Sequence, residues 1–294
     1  MVYRIGSGWS ATLTQVEQSL DASRFVECGA TQEKAIGWIE PRGVAHGPLV
    51  ESVGGQWLLK LMMEFKAVPG SVLKRKLDER LAQIELAEGR KPGKREKTEI
   101  KDELKLQLLP MAFTKQGAVQ VWIDPVALLL VLDAGSQGKA DEVVSLLVEC
   151  LPGLTVMPIN TNISPATAMA EWLTSQEPPQ GFSVDRECEL KAADESRSVV
   201  RYSRHPLDTE EVRQHVVGGK LPTKLALTWD NRVSLVLTDT LQIKKLTFLE
   251  VVFEGAAAGG KDDGFDADVA IATGELQRLI PDLLEALGGE VVTV

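Results

Sequence analysis

Cysteine is sparse in this chain: Cys28, Cys150 and Cys188 are widely spaced, odd in number and without a CxxC pair. A disulfide framework is therefore excluded, and buried free thiols in a cytosolic protein are expected. The histidines His46, His205 and His215 share no metal-ligand spacing, so neither a metal site nor another cofactor is expected. No GxSxG, HExxH or nucleophilic-cysteine motif occurs, which removes the commonest hydrolase chemistries. Long apolar runs are missing too. The longest, Val126 to Leu132, is strand-sized and far too short to span a bilayer. The opening MVYRIGSGWS lacks a basic region followed by an apolar core, so no export signal is expected.

Hydrophobic residues at 44% and charged residues at 25% are ordinary for a globular protein. At 294 residues the chain exceeds one minimal core and suggests two or three lobes. Its net charge is −10, but this charge is unevenly placed. From Glu250 to Val294 ten acids face only Lys261 and Arg278, leaving −8. The rest is close to neutral and contains one basic stretch.

That stretch runs from Ser71 to Phe113. Leu73, Leu77, Leu81 and Ile84 recur at helical spacing, with Ser71 at the N-cap position and Gly89 as the stop. Ile100, Leu104 and Leu108 line a second helix that ends before Pro110. Each apolar stripe is narrow, enough to pack on its partner helix, which predicts an antiparallel helical hairpin projecting from the body. Between Gly89 and Lys105 seven cations (Arg90, Lys91, Lys94, Arg95, Lys97, Lys101, Lys105) meet four acids, a local +3. With Lys74 and Lys76 on the first helix, these side chains are candidate phosphate contacts. Composition leaves a second reading open, a solvated helical pair laced by i,i+4 ion pairs.

Along the rest of the chain, MVYRIG reads as a strand and Ala11–Leu20 as a helix. Gly37–Pro48, with Trp38 and His46, reads as a loop, and Gln56–Val68 as a long strand. Ala118–Asp124 and Val126–Asp133 read as two strands, the second central and buried. Lys139–Cys150 is a helix and Leu154–Pro158 a strand; Ser164-Pro165 opens another helix. Gly181–Leu190 and Ser198–Ser203 form a strand pair, and Asp208 with Glu211 suggests a capping box. A meander follows over Lys224–Phe248, then a strand Phe265–Ala272 and a last helix Gly274–Leu287 closed by Gly288-Gly289. Hairpins and meanders outnumber regular βαβ units, which predicts an α+β fold with antiparallel sheets.

Three further features bear on chemistry. Gly255–Asp262 nearly spells a phosphate-binding loop, but Asp262 stands where a hydroxyl is needed and a strand is expected to follow, so this reading is rejected. Asp266 and Asp268 would share one face of that strand. Such a pair could serve a metal-dependent nucleic-acid enzyme, although a structural or interfacial role is the simpler reading. Arg201, Arg204 and His205 make a second cationic group, which Asp208, Glu210 and Glu211 could equally balance. The six tryptophans read as core, since Trp57, Trp122 and Trp229 lie inside apolar strand patterns.

MVYR, EKTEIKDELKLQLLPMAF, VWID, AEWL, TKLALTWDNR and FDADVAIATGELQRLIPDLLEALGGE occur in that order. In these blocks the chain resembles RdgC, the recombination-associated DNA-binding family of bacteria. Gly255–Gly264 and Asp185–Arg197 match less clearly. The resemblance implies a non-enzymatic homodimer closed into a ring around double-stranded DNA, with single-stranded DNA as a further ligand. It implies little sequence preference, modulation of RecA-dependent recombination and fork repair, no membrane partner, and a place in the cytoplasm on the nucleoid. It further implies a central body (1–70 and 114–180), a finger (71–113) and a base lobe (181–294). Phe113 matches the family's aromatic at the contact between fingers. Arg204 and His205 fall where the family carries a Lys and a Gln, with His205 assigned to the dimer interface.

Overall fold

The computed structural model of the chain describes residues 1–254 and 263–291. Seven strands make a first sheet: β1 (Val2–Ile5), β2 (Lys34–Ile39), β3 (Val50–Val53), β4 (Gln56–Lys66), β5 (Thr114–Asp124), β6 (Leu129–Leu132) and β7 (Val156–Pro158). Five make a second: β8 (Phe182–Ala192), β9 (Val199–Ser203), β10 (Lys220–Trp229), β11 (Val233–Thr238) and β12 (Ile243–Phe248). Among the described residues there are eight α-helices. These are α1 (Leu13–Asp21), α2 (Gly70–Glu88), α3 (Lys94–Leu108), α4 (Gln137–Cys150), α5 (Pro165–Ser175), α6 (Glu210–Val217), α7 (Glu250–Phe253) and α8 (Asp263–Ala286).

The first sheet is antiparallel in the order β2-β4-β5-β6-β1-β7, with β3 on the near half of β4. Strand alternation divides its side chains between two faces. Leu59, Leu61 and Met63 of β4 face a core shared with Val16 and Leu20 of α1 and Val143 and Leu147 of α4. Leu58 points the other way, to join Trp122, Leu129 and Ile280 of α8. β6 lies inside the sheet and is buried, as its continuous apolar run predicts.

The second sheet has the order β12-β11-β10-β8-β9, a β10–β11–β12 meander joined through β10 to the β8–β9 hairpin. Its core face meets Met169 and Trp172 of α5, Val212 of α6, and Leu279 and Leu283 of α8. The β10–β11 turn uses Asp230 and Asn231 in the left-handed region with φ of +48° and +52°, and Arg232 N–H donates to the Trp229 carbonyl at 2.8 Å to close it. α8 thus presents neighbouring residues to both sheets, and Gly288 and Gly289, at φ +79° and +87°, end it as anticipated. The bidentate pair of Arg4 with Glu290 ties this end back to β1. The result is an α+β fold with two antiparallel sheets.

Several local expectations are corrected. Gly37 and Trp38 belong to β2, not to a loop. A Cβ on Gly37 would lie 2.5 Å from Phe25 Cα, because Trp38 exchanges backbone hydrogen bonds with Ser23 and Phe25. Glycine in that strand marks a close backbone approach. α2 begins at Gly70 with Pro69 as its cap, since the Pro69 carbonyl already accepts from Val72 and Leu73; Ser71 is inside the helix. Thr209, not Asp208, caps α6 through Oγ1, and Glu211 instead accepts from the Tyr202 hydroxyl at 2.9 Å. Cys188 is buried, whereas Cys28 and Cys150 are half-buried; all three thiols are free.

The largest correction is at Phe265–Ala272, which opens α8. Phe265, Val269, Ala272, Leu276 and Ile280 line one side of it at steps of four, three, four and four, a helical stripe that the FDADVAIA alternation disguises. Residues 255–262, the near phosphate-loop, lie outside the described residues. A helix follows them, so only the acid at Asp262 still stands against that motif.

Candidate nucleic-acid interface

α2 and α3 pack against each other along the predicted stripes: Leu77, Leu81 and Ile84 are half-buried against Ile100, Leu104 and Leu108. Gly89, at φ +64°, closes α2 by donating its N–H to the Glu85 carbonyl at 3.0 Å. Buried Leu73 and Leu109 root the hairpin in the body, and Lys105 pairs with Glu33 there at 2.6 Å.

The cations of the hairpin fall into two groups. Arg90 reaches Glu96 at 2.7 Å and Glu88 at 2.7 Å, Lys91 reaches Glu85 at 3.6 Å, and Arg95 reaches Glu99 at 3.1 Å. Lys76 pairs with Glu79 at 3.0 Å. The Arg90 hydrogen bonds hold the Glu96 carboxyl below the usual range and raise Arg90 above its own. These pairs are the links that a solvated hairpin would make, and exposed pairs of this kind contribute little stability. In the second group, Lys74, Lys94, Lys97 and Lys101 are exposed and, among the described residues, have no carboxylate within 4 Å.

The arrangement on α3 separates the lysines from the acids, with Arg95 on the acidic side. At about 100° per residue, Lys94, Lys97, Lys101 and Lys105 fall within an arc of about 80°. Glu96, Glu99, Asp102 and Glu103 occupy an arc of about 120° on the other side. The apolar stripe flanks the lysine arc and overlaps its edge, with Leu108 projecting between Lys97 and Lys101. The lysines therefore form a ribbon about 16 Å long, uninterrupted by acid. A net charge of +3 understates such a surface, because opposing charges on the far side are partly screened over a helix diameter. This segregation was readable from the spacing of the lysines, had the helix been projected on a wheel.

The second cationic group is less available. Arg201 Nε donates to Glu189 Oε2 at 2.6 Å, and Glu189 also accepts from Thr223 at 2.8 Å and Lys224 at 3.2 Å. Led by the Arg201 hydrogen bond, these hold the Glu189 carboxyl at about 2. Arg204 is exposed in a left-handed turn at φ +56°. The His205 ring lies 5.4 Å from Tyr202, with Nδ1 2.6 Å from the Pro206 carbonyl, so that nitrogen is the protonated one. Arg201 lies on β9 of the second sheet and Arg204 and His205 in the turn that follows it, whereas the hairpin joins β4 to β5 of the first.

Phe113 sits between the short 3-10 turn Leu109–Met111 and β5. It is 93% exposed, and Met111 beside it is 72% exposed. A core role for Phe113 is thereby excluded in the single chain.

The Asp266–Asp268 pair does not form. On α8 the two side chains diverge by about 160°. Asp266 is held by Arg42 at 2.5 Å, and Arg42 also binds Glu51 at 3.0 Å and stacks on Phe265 at 4.5 Å. Among the described residues no group of three His, Cys, Asp or Glu side chains converges as a metal site, and no helix is long and apolar enough to cross a membrane.

Comparison with known proteins agrees with the fold's extent. A family model described as "Putative exonuclease, RdgC" matches residues 1–290. The recombination-associated protein RdgC of Dechloromonas aromatica is 43% identical over 296 residues, covering 99% of this chain and 97% of that one. Those of a Janthinobacterium species and of Cupriavidus necator are 41% and 43% identical, covering 99% and 98% of this chain and 97% of each relative.

Proposed function

The chain belongs to the RdgC family, and on that premise we propose that it binds double-stranded DNA without sequence preference and without cutting it. The lysine ribbon of α3 carries this reading. Lys94, Lys97 and Lys101 stand free on one side of an exposed helix, as phosphate contacts must, with no base-reading motif beside them. Lys74 adds a further free cation, while Arg90, Lys91, Arg95 and Lys76 would have to exchange a carboxylate for a phosphate. Arg201 would contribute from β9 and Arg204 from the turn after it.

In this reading the hairpin is a finger that projects from a body, and the second sheet forms a base. Two copies close at both ends into a ring, which needs two isologous contacts. Exposed Phe113 is the apolar anchor of the finger contact, and His205 belongs to the other. An acidic exterior, drawn largely from the C-terminal portion, limits adhesion while the enclosed surface stays cationic. Such a ring, on the nucleoid, would restrain RecA-dependent exchange by occupying the duplex, with single strands as weaker ligands.

The family description names an exonuclease, whereas the relatives are named recombination-associated proteins. Asp266, engaged by Arg42, and Asp268, on another side of the helix, give the nuclease reading no carboxylate pair. Incubating supercoiled and linear DNA with the protein and magnesium or manganese separates the readings. Retarded but intact DNA supports the proposal, and cutting overturns it. Absence of any shift at low salt would point instead to a protein-binding adaptor.

A further inference from the structure

α8 covers only part of the outer face of the first sheet. Between that face, α8 and β12 lies a cavity of about 480 Å³. Leu58, Trp122 and Val131 wall it on the sheet side, Val269 and Leu276 on α8, and Phe248 on β12. This volume lies within the range of small-molecule sites, which are mostly apolar with a few placed polar groups. The cavity is therefore walled by both halves of the fold at once.

Its charged side chains are of one sign. Asp133 and Asp268 are in the lining, both exposed at its mouth. Among the described residues neither has a Lys, Arg, His or N-terminal partner within 4 Å. The Met1 ammonium, also in the lining, donates to the Leu132 carbonyl at 2.7 Å. Burial lowers its pKa while Asp133 acts to raise it, and it lies beyond 4 Å from the Asp133 carboxylate. Lys244 and Lys245 line an adjoining cleft, where Lys245 is bound by Glu187 at 2.6 Å. Thr273 bonds its own helix through Val269 O at 2.8 Å.

We propose that this cavity binds a small amphiphilic cation, an alkyl or aryl-alkyl amine. Its apolar body lies between Trp122 and α8, and its ammonium sits against Asp133 and Asp268. An anion with the same tail would meet two unpaired carboxylates, and a neutral one would forgo a charge-assisted contact. The site is independent of the DNA reading, since the hairpin contributes no residue to it. Because the ligand touches both sheets, its binding raises the melting temperature by mass action.

Titrating the full chain with decylamine, decanol and decanoate by calorimetry tests this. Decylamine should bind at least tenfold more tightly than decanoate and raise the melting temperature. Asp133→Asn with Asp268→Asn should remove the advantage of the amine while leaving decanol binding unchanged. Ala272→Phe, which fills the cavity from α8, should abolish binding of all three. Leu246→Trp fills it from β12 and serves if the first filler fails to fold. Equal binding of amine and carboxylate, binding that survives the filling substitution, or no binding of the amine would overturn the proposal. So would capture, in place of the amine, of a synthetic peptide with the sequence of α3.

Discussion

Replacing Lys94, Lys97 and Lys101 together by glutamine should weaken duplex binding in a way that counts contacts. Each neutralised phosphate contributes about −0.9 to the slope of log K against log salt. All three lysines are free of carboxylates among the described residues, so each charge is available in full. Removing them should flatten the slope by about 2.7 for each hairpin on the DNA, hence by about 5.4 if two hairpins engage. At 0.15 M salt, a slope change of 2.7 corresponds to roughly a hundredfold weaker binding relative to a 1 M reference. Fluorescence anisotropy of a labelled duplex over a salt series measures both quantities. Arg90→Gln is the internal control. Arg90 already sits between Glu88 and Glu96, so its loss should change the slope by much less than 0.9. The lysines are exposed, and melting temperature should stay within the scatter of surface substitutions. An unchanged slope in the triple variant, or a larger effect from Arg90→Gln, would refute the ribbon as the contact surface.

Four other outcomes are expected. Phe113→Ser, at a side chain 93% exposed, should leave the melting temperature unchanged but speed dissociation from closed circular DNA; slow release retained by the variant would end its role in closure. Gly37→Ala should destabilise by about 3 kcal/mol in urea unfolding, because the new Cβ meets Phe25 backbone at 2.5 Å. Glu275→Gln should cost about 2 kcal/mol, since buried Glu275 binds Arg232 at 2.7 Å and Arg278 at 2.5 Å, and an ordinary surface-sized loss would contradict this. The Glu189 carboxyl is held at about 2, first by Arg201, so its stabilisation is complete above the unfolded value of about 4.3 and is lost as pH falls toward 2. Glu189→Gln should therefore flatten the acid limb of melting temperature against pH over that window.

Much of the fold follows from local pattern. The hairpin was legible because two narrow leucine stripes, Gly89 and Pro110 are each local signals, and helix pairing needs little else. The β10–β11–β12 meander and the buried β6 were legible for the same reason, since alternation and turn residues are local. The single-sign lysine face of α3 was equally present in the spacing.

Long-range contacts decided the rest. FDADVAIA fits a strand and a helix equally over eight residues; what selects the helix is the face of the first sheet, where Val269 and Leu276 find apolar partners. Gly37 looks like a loop glycine until Phe25 is laid against it. Nothing near Asp266 in the chain announces Arg42, 224 positions away, yet Arg42 engages one of two carboxylates that the helix already turns apart. Likewise the partners that leave Lys94, Lys97 and Lys101 free while engaging Arg90 are set by side-chain geometry at the hairpin turn. Composition supplies the charges, and only packing determines which of them are left facing solvent.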